Sequence, residues 1–454
     1  MKSFVSDPSE HNSFFENDNP HGVVKRHIFR RHCEAFVAKT QNCKLQTIIY
    51  DAFAGAGYYV GLPNVKNSYG SPLICLDVVI KYFQQKSTST LVYSPFTQEV
   101  QDIKPIVKDI QMPESEDRVV LNFSEANRDN CLKLVNNIVL FLRTSIGDAF
   151  FISLNNDGVM TISSYNEEYP FCINIANAEF IQVRPPDDKP YRRLLTFIDP
   201  FGYSQIPMKH VQRFIGERRE AFINFMSSYV NRFKNVKSNE TAIIELYGFS
   251  DEERNECLQN LQVMSDHDED GINRCVQMYE TKLKKQAEST YILGFTVRNK
   301  KNVRLYHLIF ITNHIKGFKA MKEAMKSGSQ DADSLSVSDY HVEKNGMQLS
   351  LVNKQDIRVV AAKIYERFQG QNNVNIKVIE NFIWFKTPYV WRKKPLKILQ
   401  KEPEDHPRLT NVKDKDGKKP SKKYTYPGVT EWLLTFRPKS DAELSKNLHK
   451  LKLE

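Results

Sequence analysis

From Leu45 to Thr312 the chain repeats one pattern, in which short apolar runs with little alternation are separated by longer stretches at helical spacing. Strands that read this way are buried on both faces, as happens when helices cover a parallel sheet from either side. The runs fall at LQTIIYDAF, STLVYSP, RVVLNF, LLTFIDP, AFINF, YILGFTV and LYHLIFIT. Helices are expected around residues 72–86, 97–108, 126–144, 207–219, 226–235, 251–263 and 272–287. The last two runs are joined by the short polar RNKKNVR. A parallel crossover needs a dozen or more residues, so this connection implies an antiparallel hairpin. The fold class is therefore α/β: five strands with crossovers, mostly parallel, closed by a hairpin. Residues 145–190, with their Gly, Asn and Pro, read as an inserted hairpin.

The flanks differ in character. Residues 1–21 are polar and turn-rich, without the apolar stretch of a signal peptide, and read as a disordered arm. In VVKRHIFRRHCEAFVAK, Val24, Ile28, Cys33 and Phe36/Val37 share one helical face while Lys25, Arg26, Arg30 and Arg31 fall largely on others. The α/β domain is placed at 22–325, and the Ser/Asp/Gly-rich residues 326–350 are a linker or lid. Residues 351–437 give three helices and then a basic hairpin ending in EWLLTF, the arrangement of a winged helix-turn-helix. A basic tail, 438–454, follows.

Net charge is +10, and from Lys386 onward there are 18 Lys/Arg against 9 Asp/Glu, so nearly all the excess lies beyond the α/β domain. A basic module beside a near-neutral one suggests a polyanionic partner. The longest apolar runs, IVLFL and LIFIT, are far short of the roughly 20 residues that span a bilayer, so no membrane segment is expected. Seven scattered cysteines with no C-x-x-C pair read as reduced thiols of an intracellular protein, cytoplasmic or nuclear. No metal site is expected, because DHDEDG at 266–271 only imitates a calcium loop, with Gln277 where a bidentate Glu is required.

The first run ends in Asp51 and turns through Ala54, Gly55, Ala56 and Gly57. Glycines there permit left-handed torsions and close approach of a ligand to backbone, beyond the carboxyl ends of the strands where open α/β sheets bind ligands. The dinucleotide fingerprint is incomplete, since Tyr58, Tyr59 and Val60 follow Gly57. A second strand end, IDPFGY, sets Asp199, Pro200 and Phe201 on the same rim. An acid, a rigid Pro and an aromatic ring can grip a planar base, the ring by stacking and the acid by accepting from an exocyclic amine. Both bends also occur as plain turn chemistry.

DAFAGAG is similar to the D-x-F-A-G-x-G of nucleic-acid methyltransferases that bind S-adenosylmethionine, and DPFG to the D-P-P-Y or D-P-F-G element of enzymes that methylate base amines. The ordered series YDAFAGAGYY, YGSPLICL, TFIDPFGYSQIP, LYHLIFITNHIKGFKAMKEAM and FKTPYVWRKKPLK resembles the three-Cys-motif partner protein family over most of 22–437. That resemblance implies a methyltransferase-like Rossmann domain with a C-terminal winged helix, and S-adenosylmethionine as cofactor. It implies a nucleoside cleft formed by Asp51, Phe53, Ala54, Gly55 and Gly57, with Gly70, Ser71 and Pro72 starting the next helix. Asp199, Pro200, Phe201 and Gly202 would form the acceptor site, and Lys25, matching a basic position in the opening helix, would contact nucleic acid. One departure is that the second strand, read at STLVYSP, ends in Ser94 and Pro95 where an acid normally grips the cofactor ribose. Glu125, in NFSEANRD, reads first as an exposed loop acid and second as a neighbour of the adenine.

In the third helix of the C-terminal module Arg392, Lys393, Lys394 and Lys397 cluster beside Leu396 and Leu399, and Lys418, Lys419, Lys422 and Lys423 belong to the wing. The leucines face the core and the cations a phosphate backbone. His314, after a strand, reads as a structural residue before a catalytic one. The leading functional reading is methyl transfer to an exocyclic amine of a DNA or RNA base. The alternative is a catalytically silent nucleic-acid-binding or partner protein, favoured by Ser94/Pro95.

Overall fold

The computed structural model describes residues 20–59, 68–86, 105–106, 108–165, 167, 169–262, 269–285, 290–298, 304–328, 340–341, 353–401, 407–420 and 431–438. Ser94, Pro95, Lys422 and Lys423 lie outside these, as do most of the expected 97–108 helix, the arm and the tail. The chain divides into two units, Met1–Ala324 with Asp339–Lys344, and Met325–Ser338 with Asn345–Glu454.

In the first unit the order is α1 (Pro20–Asn42), β1 (Gln46–Asp51), α2 (Ser71–Gln84), β2 (Ile110–Gln111), β3 (Val119–Ser124), α3 (Arg128–Ile146), β4 (Phe150–Leu154), β5 (Met160–Ser164), β6 (Phe171–Ala176), β7 (Val183–Arg184) and β8 (Arg192–Ile198). There follow α4 (Met208–Val211), β9 (Arg219–Phe225), α5 (Ser227–Phe233), α6 (Glu240–Tyr247), α7 (Asp251–Gln262), α8 (Glu269–Lys284), β10 (Tyr291–Arg298), β11 (Arg304–Thr312), α9 (Ile315–Gly328) and β12 (Tyr340–His341). Ten strands form one sheet in the order β12-β10-β11-β9-β8-β1-β3-β6-β5-β4, and β2 pairs with β7 separately.

β1 lies parallel between β3 and β8. From β1 the chain builds β3 and β6 to one side, then returns to lay β8 and β9 on the other. This reversal of strand order opens a crevice at the carboxyl ends of β1 and β8, the switch point at which α/β sheets bind ligands. The β10–β11 hairpin is antiparallel, as its short connection requires.

Two-sided burial explains the unbroken runs. Ile48 and Tyr50 of β1 pack with Leu194, Ile198, Phe214, Ile223 and Tyr247 on one face. On the opposite face α1 lays Phe29 against Phe197 of β8, centroids 4.3 Å apart, and stacks it near Phe222 of β9. Val24, Ile28, Cys33 and Val37 are buried in the same stripe.

Three expectations need correction. The stretch 145–190 is more than a hairpin: β4 and β5 form one, but β6 is a parallel strand beside β3. Asn174 breaks its apolar run, yet is buried because its amide donates to Asn122 Oδ1 at 2.9 Å and its oxygen accepts from Thr161. The helix read at 207–219 shrinks to α4 plus a 3-10 turn, since Ile215 is already extended and β9 begins at Arg219. Within the stretch read as linker, Tyr340–His341 pairs with the edge of β10.

The second unit contains α10 (Asn353–Phe368), β13 (Val374–Asn375), α11 (Ile376–Lys386), α12 (Lys394–Lys401), β14 (Leu409–Lys413) and β15 (Leu433–Phe436), the strands forming an antiparallel sheet in the order β13-β15-β14. Ile364, Phe368, Ile379, Ile383, Leu396, Leu399, Trp432 and Leu434 share its core.

Candidate active site

The Gly bend after β1 is held by backbone contacts that need its glycines. Gly55 and Gly57 have φ of 60° and 77°, in the left-handed region that side chains disfavour. Gly70, at the start of α2, donates to the Gly57 carbonyl at 2.9 Å, so close that a Cβ on Gly70 would lie 3.0 Å from that carbonyl. The bend is also tied from outside, Asn137 of α3 donating to the Ala56 carbonyl at 2.8 Å.

The acid beside β1 is Glu125. It ends β3, is only 6% exposed, and accepts the Gly55 N–H at 2.8 Å and the Asn127 N–H at 2.7 Å. The reading of Glu125 as an exposed loop acid is thus corrected. Which strand neighbours β1 is settled by pairing, and the described strand on that side ends in this carboxylate rather than in Ser94 and Pro95. Burial pushes the Glu125 carboxyl above its ordinary range, opposed by its two backbone hydrogen bonds.

Asp51 is fully buried at the end of β1 and receives the Phe53 N–H at 3.2 Å, while its Oδ2 has no partner. Burial raises its carboxyl to about 7, against lowering by the Ser71 hydroxyl and the Phe53 N–H, with Asp199 and Glu125 raising it further. A buried carboxylate oxygen without a donor costs free energy unless a ligand supplies one.

Asp199 follows β8 on the same rim. Its Oδ2 is 2.5 Å from Lys25 Nζ, and its Oδ1 accepts from Asn224 Nδ2 of β9 at 2.7 Å. With a side chain 20% exposed, Asp199 is oriented but reachable. Lys25, expected to contact nucleic acid, has a side chain 11% exposed and turns its ammonium to Asp199. The turn through Pro200, Phe201 and Gly202 is locked by Gln205, whose Oε1 accepts both the Phe201 and Gly202 N–H groups at 2.8 and 3.0 Å.

Between these elements lies a cleft of about 280 Å³ lined by Ala52, Phe53, Glu125, Asn130, Phe180 and Phe201 among others. That is near the small end of ligand pockets. Phe53 packs against Phe180, centroids 5.7 Å apart, which supplies an apolar wall. Of the residues named from the sequence, Phe53, Glu125 and Phe201 line the cleft, whereas Asp51, Ala54, Gly55, Gly57, Ser71, Asp199, Pro200 and Gly202 do not. Sequence reasoning missed Asn130, Phe180 and Gln205; Asn130 stands in the first turn of α3 and Phe180 in the turn after β6, and those positions near strand ends were the signal for them.

His314 lies at the opposite rim, where its Nδ1 accepts the Lys316 N–H at the start of α9. In the second unit Arg392, Lys393, Lys394 and Lys397 are exposed while Leu396 and Leu399 are buried, as the helical spacing predicted. Lys418 and Lys419 are exposed after the turn at Gly417.

No protein-family model and no curated protein matches the chain. Solved structures similar to it include protein LPL1258 from Legionella pneumophila str. Philadelphia 1, at 11% identity and TM-score 0.32, covering 68% of this chain and 92% of that one. Trm1 from Pyrococcus horikoshii, solved with S-adenosyl-L-methionine, is 11% identical with TM-score 0.32, covering 68% and 60%. The plantazolicin methyltransferase BpumL, solved with SAH, is 9% identical with TM-score 0.30, covering 68% and 92%. Similarity of this extent identifies no family, and the chemistry must be argued from the residues of the cleft.

Proposed function

We propose that the first unit binds S-adenosylmethionine and methylates an exocyclic amine of a nucleic-acid base. The observation that carries this reading is the convergence of Asp51, Glu125 and Asp199 at the switch point, close enough for Asp199 and Glu125 both to raise the Asp51 carboxyl. Carboxylates gathered at one rim of the sheet, of which Glu125 lines the cleft, favour a cationic ligand over an anionic one such as a nicotinamide dinucleotide. When bound, S-adenosylmethionine supplies an electrophilic methyl group on a positively charged sulfur.

The residues that would hold it fit. Asp51 Oδ2 lacks a donor and suits an ammonium group, and Glu125 keeps lone pairs beyond its two backbone bonds for ribose hydroxyls. Phe53 and Phe180 offer an apolar wall to a purine. At the acceptor end, Lys25 and Asn224 fix Asp199 in one orientation, so an amine hydrogen-bonded to it has its lone pair aimed in one direction. Asp199 also offsets the positive charge that develops on that nitrogen. Phe201, whose backbone N–H is held by Gln205 and which lines the cleft, would stack on the base.

The silent-protein alternative rested on a missing acid beside β1; Glu125, following the strand paired with β1, supports the methyltransferase reading instead. In the second unit, three helices and an antiparallel sheet with exposed cations on α12 support a winged helix that docks a polynucleotide backbone. This combination also fits the three-Cys-motif partner resemblance, and with it a protein partner.

Titration calorimetry with S-adenosylmethionine tests the reading. No binding at high micromolar ligand overturns it. Given binding, Asp199→Ala is expected to abolish methyl transfer to nucleic acid while affinity for the cofactor stays nearly unchanged. Equal loss of both refutes the role assigned to Asp199.

A further inference from the structure

The cleft leaves one apolar surface of the first unit unexplained. β4 ends the ten-stranded sheet, and among the described residues nothing pairs with its outer edge. Phe151, Ile152 and Leu154 are 52%, 39% and 52% exposed, with Tyr165, paired to Ala149, 65% exposed beside them. Soluble proteins ordinarily guard such an edge with charge, Pro or a bulge, because unpaired N–H and C=O groups template another strand. FFISL carries no charge and no Pro.

The direction of its free groups follows from the β5 pairing. The Ala149 carbonyl accepts from Tyr165 N and Asn155 N donates to the Val159 carbonyl, so odd-numbered residues direct their backbone groups inward to β5. Alternation then turns the N–H and C=O of Phe150, Ile152 and Leu154 outward. The same three side chains share one face.

We propose that this edge pairs antiparallel with β4 of a second copy of the chain, about a two-fold axis at Ile152. That register sets Ile152 opposite its own copy and Phe150 opposite Leu154, so each outward group of these three residues meets an outward group. It also separates the flanking charges, with Asp148 opposite Asn156 and Asp157 opposite Gly147. A strand that matches itself in polarity, apolar face and charge fits an isologous contact. The four exposed side chains of this edge amount to on the order of 1,000 Å² or less across two copies, at or below the low end of specific interfaces, as for a weak, reversible dimer.

Sedimentation equilibrium of the full chain across low to high micromolar concentrations is expected to show a monomer–dimer equilibrium. Ile152→Lys places two ammonium groups at the axis and should weaken dimerisation about tenfold or more, with an unchanged melting curve because Ile152 is partly exposed. A wild-type chain that stays monomeric overturns the proposal, including the case where a different protein takes the edge. So does a dimer that Ile152→Lys leaves intact. Should Ile152→Lys fail to fold, Ile152→Cys decides. Paired Cα atoms about 5.5 Å apart are within disulfide reach, so mild oxidation should cross-link Ile152→Cys. Phe151→Cys, which faces Ser153, and the wild type should stay uncross-linked; absence of the position-152 cross-link overturns the register.

Discussion

Glu125 accepts the backbone N–H of Gly55 at 2.8 Å, so the end of β3 and the bend after β1 are one structural piece. The other carboxylate oxygen takes the Asn127 N–H ahead of α3. Glu125→Gln replaces one acceptor oxygen by a donor, leaving either the buried Gly55 N–H or the more exposed Asn127 N–H without its partner. The expected cost is about 1–3 kcal/mol of stability, together with weaker binding of S-adenosylmethionine. Thermal melts and calorimetry on the same variant separate the two effects; an unchanged melt means the tie is not formed.

The bend's two close approaches should respond differently to relief. A Cβ on Gly57 would lie 2.8 Å from Leu134 Cδ1, whereas one on Gly70 would meet Gly57 backbone atoms at 3.0 Å. Gly57→Ala also strains a φ of 77°. Each substitution should destabilise by about 1–3 kcal/mol. Trimming Leu134 to Ala should restore part of the loss in Gly57→Ala and none in Gly70→Ala, read as the coupling in denaturant-based double-mutant cycles.

Local motifs made part of this site legible. Asp51 with its glycines, and Asp199 with Pro200 and Phe201, are contiguous and carry their geometry in a few residues. What escaped was set by pairing across the chain. Glu125 becomes informative only once β3 is known to lie beside β1. β6 was hidden because Asn174 interrupts its apolar run, and the partner that makes this tolerable, Asn122, lies on another strand. Helical amphipathicity places Lys25 outward, but the acid that draws it inward is 174 residues away.

Lys25 and the α12 cations are therefore expected to part company in one experiment. Lys25 faces Asp199, while Lys394 and Lys397 are exposed on α12 of the second unit. Replacing Arg392, Lys393 and Lys394 by Ala should flatten the dependence of polynucleotide binding on salt, by about 0.7–0.9 in logarithmic slope for each phosphate no longer neutralised. Lys25→Met should leave that slope unchanged. It should instead lower stability by about 1–3 kcal/mol, since it strands a half-buried carboxylate. A slope that falls with Lys25→Met would return Lys25 to the polynucleotide surface.

Asp51, buried at the end of β1, makes the first unit sensitive to pH. Burial raises its carboxyl from 3.8 to about 7. Between those values the folded chain holds a proton that the unfolded chain has released, so this contribution to stability is complete below about pH 4 and is lost as pH rises through about 7. The ligand-free protein should therefore melt lower at about pH 8 than at about pH 6 through this group. A cationic ligand prefers the ionised carboxylate and should bind more tightly over the same rise, releasing a proton when it binds below about pH 7. Calorimetry in two buffers of different ionisation enthalpy measures that proton directly. Asp51→Asn should remove the proton release, weaken binding, and raise the melting temperature of the ligand-free protein at about pH 8 by removing a buried charge. Proton release that survives this substitution would place the titrating group elsewhere, with Glu125, also raised by burial, as the next carboxylate to replace.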